Sequence, residues 1–324
     1  MLRLMSIALV FSAFSLLFFL SPAALAAQDT CLQCHGREGA VGYVDGERFA
    51  KSVHGRLGCS QCHRDAQVYP HGEVGKADCG DCHYTGELGA PQAPARSYAQ
   101  SVHASLEGGP TCETCHGTHY VLSPSNPEAR TYRANVPRLC FMCHVRTFRT
   151  YSESVHGSLL LGGKDLQSAT CYDCHMEHAV PRTGEPRWKL WLIKECGHCH
   201  EDKLETYRDT YHGKVTDLGY ATVAKCSDCH GSHFILPASD PRSRVSAKRI
   251  RKTCGQCHPY SNENFVKYYS HPDEHDKARY PVLFYTYWFM TALLVGVFSF
   301  FIVHTALWAY RSMRERGEKQ DEEY

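Results

Sequence analysis

The chain has 324 residues, with 35 Lys and Arg against 34 Asp and Glu and a formal charge of +1. Its 18 cysteines suggest a disulfide scaffold by number alone. Their spacing excludes one, because every cysteine lies in a Cys-x-x-Cys pair followed directly by histidine.

Residues 1–26 read as a secretory signal. Arg3 supplies the positive start, Leu4 to Leu20 the apolar stretch, and Ala24-Leu25-Ala26 a small-residue cleavage site. An uncleaved N-terminal anchor is the alternative, and either version exports the chain that follows.

Residues 27–280 hold nine motifs. They are Cys31, Cys34 and His35; Cys59, Cys62 and His63; Cys79, Cys82 and His83; Cys112, Cys115 and His116; Cys140, Cys143 and His144; Cys171, Cys174 and His175; Cys196, Cys199 and His200; Cys226, Cys229 and His230; and Cys254, Cys257 and His258. Cys-x-x-Cys-His is the attachment signal of a c-type haem. The two thiols add to the porphyrin vinyl groups, and the imidazole next in sequence sits beneath the iron as its proximal ligand. Zinc ribbons also use Cys-x-x-Cys pairs, but they have no need of a histidine after each one. The expected cofactors are nine covalent haems. Each brings two propionates against the single net positive charge of its ferric iron centre, so the loaded protein gains about nine negative charges and offers nothing to nucleic acid.

The haem region is a degenerate repeat. Phe49 to Gly55, Tyr98 to Ala104, Tyr151 to Gly157 and Tyr207 to Gly213 share an aromatic-x-x-Ser/Thr-x-His pattern, and Phe265 to His271 is its last copy. The pattern supplies His54, His103, His156, His212 and His271. A second pattern follows the even motifs as Cys-His-x-x-His and supplies His119, His178 and His233. The first repeat lacks that histidine; the nearest candidate is His71, eight residues past His63. These nine match the nine motifs and are the expected distal ligands. His275 competes with His271, which keeps the repeat spacing, and His198 lies inside a motif loop. Met142 and Met176 sit within or beside a motif and are not expected to ligate.

About 28 residues per motif are too few to bury a conventional core. The expected fold is mostly α and irregular, low in sheet, with stacked haems as the core. The run Arg242, Arg244, Lys248, Arg249, Arg251 and Lys252 is expected to neutralise propionates; contact with lipid headgroups and docking of an acidic partner are the alternatives.

Residues 281–310 read as a transmembrane helix. Val282 to Tyr310 carries no Asp, Glu, Lys or Arg, and about 20 apolar residues span a bilayer. Arg311, Arg314 and Arg316 come next, so the positive-inside rule puts residues 311–324 in the cytoplasm and the haems outside. The tail from Glu315 to Tyr324 is expected to lack fixed structure. His304 lies in the span and reads either as a contact to a b-haem or quinone or as a helix-end histidine near the headgroups.

The nine motifs, the Ser-Val-His-Gly elements and the segment Val303 to Ser312 resemble the nine-haem cytochrome c portion of Cbc-type inner-membrane cytochrome b/c complexes. The resemblance implies a haem domain in the periplasm, anchored in the inner membrane. It also implies an electron-transfer role between a membrane cytochrome b that oxidises quinol and periplasmic c-type cytochromes. Only one helix follows the haem region here, so the cytochrome b is expected to be a separate partner. A multihaem reductase of a small nitrogen or sulfur oxyanion, with one open iron, is the second expectation.

Overall fold

The computed structural model describes residues 30–84 and 93–321. The signal segment lies outside the described residues. Those residues form helices joined by turns and loops, with no strand among them. By contacts they fall into two compact units, Met1–Leu192 with Ser227–Thr253, and Ile193–Cys226 with Cys254–Tyr324.

The polypeptide buries little of itself. Among the described residues the buried apolar side chains are Ala129, Val136, Leu160, Leu192, Ile193, Tyr207, Leu236 and Tyr280, fewer than the ten buried polar ones. Eight apolar side chains do not make a core for a chain this long. An apolar filling other than side chains is needed, as nine covalently held porphyrins would be. Apart from Pro186–Cys199 with 14 residues, the helices before residue 281 are short, most running five to eight residues.

The exception is the helix Pro281–Asp321. Its stretch Pro281–Glu315 is long and apolar enough to cross a membrane, and none of it is buried within the chain. The helix also runs past Glu315, where the sequence suggests loss of structure. Arg, Glu and Lys are good helix formers, and Arg311 pairs one turn along with Glu315 at 2.6 Å. The charged tail therefore continues the helix through Asp321.

Candidate haem sites

Each motif makes one helical turn, and that turn carries both thiols and the imidazole to one side. The histidine N–H donates to the carbonyl of the first cysteine at His63, His83, His144, His200 and His258, at 2.9–3.0 Å. Several even motifs also tie their start. The residue before the first cysteine donates its N–H to the polar side chain before the second: Gly58 to Gln61 at 2.8 Å, Thr111 to Thr114 at 3.0 Å and Thr170 to Asp173 at 2.7 Å. This capping satisfies a backbone donor that the first turn leaves orphaned. No two of the eighteen cysteines are joined in a disulfide.

After the even motifs the chain turns sharply to present Cys-His-x-x-His. The turning residue has positive φ at Gly117 and Gly231, where glycine pays no Cβ penalty. At the Cys171 motif this residue is Met176, at φ 62° and ψ 166°. That region is nearly closed to side-chain-bearing residues and costs about 1–3 kcal/mol. Met176→Gly is expected to stabilise the protein by about 1 kcal/mol, read as a higher denaturant midpoint at unchanged haem content.

The histidines then meet in facing pairs. His35 faces His71, His54 faces His83, His63 faces His119, His103 faces His144, His116 faces His178, His175 faces His233, and His212 faces His258, with ring centres 5.8–6.1 Å apart. Each pair joins one motif histidine to one from the repeat patterns, or to His71. In every pair but the first, the second histidine comes from a different repeat. His71 faces His35 rather than serving the nearer Cys59 motif, because His119 of the second repeat takes the place opposite His63. His156 and His230 lie in the first unit, and His200 and His271 in the second.

The separation fits a haem iron. A histidine nitrogen sits about 2 Å from a first-row metal, so two in line across one ion put the ring centres about 6 Å apart. Among the described residues no group of three or more His, Cys, Asp or Glu is arranged to hold one ion. The donors are set as opposed twos, which suits a macrocycle that already fills four positions, and not as the tetrahedral sets zinc requires.

The electrostatics agree. Burial first, then the neighbouring imidazole, pushes His54, His103, His116, His119, His175, His212 and His233 below the ordinary histidine range. Neutral imidazole is the form a metal takes. His35 and His71 donate from Nδ1 to the carbonyls of Val41 and Gly72, at 3.0 and 2.9 Å. In the neutral tautomer that bond selects, the lone pair is on Nε2.

A repeated scaffold aims the distal histidines. The hydroxyl at Ser154 accepts from the N–H of Gly157 at 3.0 Å, and Thr210 accepts from Gly213 at 3.1 Å, so Ser/Thr is the cap of the short helix that bears the histidine. The glycine after the histidine lies against the preceding turn; an added Cβ would meet the Tyr151 carbonyl oxygen at 2.0 Å at Gly157 and that of Tyr207 at 2.2 Å at Gly213. The repeat tyrosines reach the carbonyl two residues before the next even motif: Tyr98 to Pro110, Tyr151 to Ala169 at 2.8 Å and Tyr207 to Ala224 at 2.9 Å. Finally, the N–H before His54, His103 and His156 donates to the chain two residues past a histidine of the second pattern: Val53 to Val121, Val102 to Val180 and Val155 to Ile235, each at 2.8 Å. The tyrosine repeat is visible in the sequence, but its anchoring role is not. The paired-loop bond has no side-chain signature at all.

The attachment points succeed one another in sequence order. Cys59 lies beside Cys31, Cys79 beside Cys112 and Cys140 beside Cys171, each pair being the first cysteines of the two motifs in one repeat. Between repeats, Cys62 lies close enough to feel Cys82, and Cys115 to feel Cys140 and Cys143. The first six motifs therefore place their cysteines beside those of the next motif in sequence order.

The remaining candidates lie elsewhere. His275 packs edge-on against Tyr287 at 5.3 Å, while His271 is half-buried, and that burial pushes its pKa down. Met142 is exposed and lies 3.8 Å from the Arg130 guanidinium. His304 is exposed on the long helix, stacked on Phe300 one turn away. In the basic run, Arg242 pairs with Asp240 and Glu153, and Lys248, Arg249, Arg251 and Lys252 are exposed.

Residues 51–145 match the family model for cytochrome c3. The match covers two full motif pairs' worth of this architecture, and it implies covalent c-type haems. No curated protein matches the chain, and no solved structure does.

Proposed function

We propose that this chain is a single-pass membrane cytochrome that passes electrons through nine c-type haems, each held by two axial histidines. Its electrons come from a quinol-oxidising cytochrome b in the inner membrane and go to soluble cytochromes of the periplasm. The observation that carries the reading is the set of facing histidine pairs at 5.8–6.1 Å. Bound haem supplies a one-electron iron couple. The chain would contribute two facing imidazoles per site, one on each side of the iron, and so leave no place for a substrate. It also contributes adjacent cysteines that keep neighbouring attachment points in contact.

The partner and the direction rest on other features. The apolar helix Pro281–Glu315 supports an anchor, and the arginines after it support a cytoplasmic end. Ala292, Gly296, Phe300 and His304 recur every four residues and share one helix face. Small residues on such a face admit a close helix, and His304 would then meet the cytochrome b or its quinone.

Purified full-length protein is expected to give nine haems per chain by pyridine haemochrome and only low-spin ferric signals by electron paramagnetic resonance. Two classes of signal are expected, because the angle between axial ring planes sets the splitting of the iron d orbitals. His116 and His178, His175 and His233, and His35 and His71 lie within 6–17° of parallel. The other pairs are turned by 37–69°. A high-spin component in the native protein would favour the reductase instead.

A further inference from the structure

We infer that Trp188 is a positioning residue for the sixth haem, and that its indole N–H donates to a propionate of that haem. The inference rests on the haem reading of the Cys171 motif. Trp188 stacks beside the motif histidine His175, with ring centres 5.7 Å apart and planes 15° from parallel. Its Nε1 is buried and has no hydrogen-bond partner among the described residues. A buried indole N–H finds an acceptor, and leaving one unmade costs about 1–3 kcal/mol. The group that Cys171 and Cys174 would hold beside His175 brings strong acceptors of its own, its two carboxylates.

The other even motifs use this location differently. Arg130 lies 14 residues past His116, and Arg244 lies 14 past His230. Their Cδ atoms come within 4.0 and 3.4 Å of where a Cβ on Gly117 and Gly231 would be. The Arg130 charge is felt at His116, whereas no arginine contributes at His175. Two even motifs therefore place a cation beside the turn, and the Cys171 motif places a neutral N–H donor beside the imidazole. A hydrogen bond draws charge off a propionate and so favours ferrous iron, without adding a full positive charge to the site.

The test uses full-length holoprotein. Trp188→Phe keeps an aromatic ring against His175 and removes the donor. The expected result is a fall in the midpoint potential of one haem in a spectroelectrochemical titration, with haem content per chain unchanged. A titration that superimposes on wild type, or a rise, overturns the inference. Should the variant lose haem, the wild type decides: with 15N-indole labelling, the redox-difference infrared spectrum should show one indole N–H band that moves on haem reduction, and its absence overturns the inference. Cys171→Ala/Cys174→Ala separates the two readings. Loss of one haem there upholds the haem reading whatever Trp188 does; an unchanged haem count defeats that reading first.

Discussion

Replacing His178 with alanine is expected to turn one haem in nine from low-spin to high-spin and to leave the rest as they are. His178 faces His116 at 6.0 Å with its plane 6° from parallel, and the fourth motif has no other imidazole opposite. Removing it leaves His116 as the only axial ligand at that iron. A five-coordinate ferric iron is high-spin, so a low-field resonance should appear in the oxidised spectrum. The reduced protein should bind one carbon monoxide per chain where the native protein binds none. Loss of the second imidazole should also raise that haem's potential, because a donor that stabilises ferric iron has gone. A histidine that merely hydrogen-bonded a propionate would leave spin state and carbon monoxide binding untouched. The result is specific in position as well, since His178 comes from the third repeat and Cys112 from the second. An alanine 62 residues downstream of the attachment histidine would open that iron and no other.

That crossing between repeats marks where the sequence stops being legible. The attachment residues are readable because their chemistry is local: two thiols and an imidazole must reach one macrocycle from a single turn, so five consecutive positions carry the whole signal. The membrane helix is readable because its composition is contiguous. The distal histidines are readable as a set, since the Ser-Val-His-Gly and Cys-His-x-x-His copies repeat, but their partners are not. His119 faces His63 from the next repeat, and His71, close to His63 in sequence, faces His35. Nothing in a sequence period says which loop crosses to which. The crossings are set by backbone bonds such as Val102 to Val180, which any residue type can make. The helical tail beyond Glu315 is obscured for another reason: charge content argues for solvation, while the i, i+4 placement of Arg311 and Glu315 argues for helix, and here the second wins.

The glycine of the Ser-Val-His-Gly element carries the other large effect. Gly213→Ala is expected to detach His212 from its iron and to cost about 2–3 kcal/mol of stability, the range for forcing a carbon into a tightly packed site. An added Cβ would lie 2.2 Å from the Tyr207 carbonyl oxygen and 2.5 Å from the Arg208 Cα. Both are backbone atoms, so no side chain can swing aside to relieve the contact. The helix Tyr211–Asp217 would have to back away from Glu201–Arg208 by about an ångström. In doing so it would strain the Thr210 cap on the Gly213 N–H. It would also strain the bond from Tyr207 to Thr216 at 2.9 Å. His212 sits one residue before the clash and faces His258 at 6.1 Å. A metal–nitrogen bond does not survive a displacement of that size, so one haem should again turn high-spin, now the one at Cys254. The chain contains its own comparison. The second repeat carries Ala104 at this position, and there His103–Ser105 is a turn of 3-10 helix and not the start of an α-helix, so the side chain has room. Gly184, with nothing within 4 Å of an added Cβ and φ outside the left-handed region, is the matched control. Its alanine variant should keep native spin state and stability. If Gly213→Ala behaved like Gly184→Ala, the close approach of the two helices would not be what aims His212, and the burden would fall on the threonine cap alone.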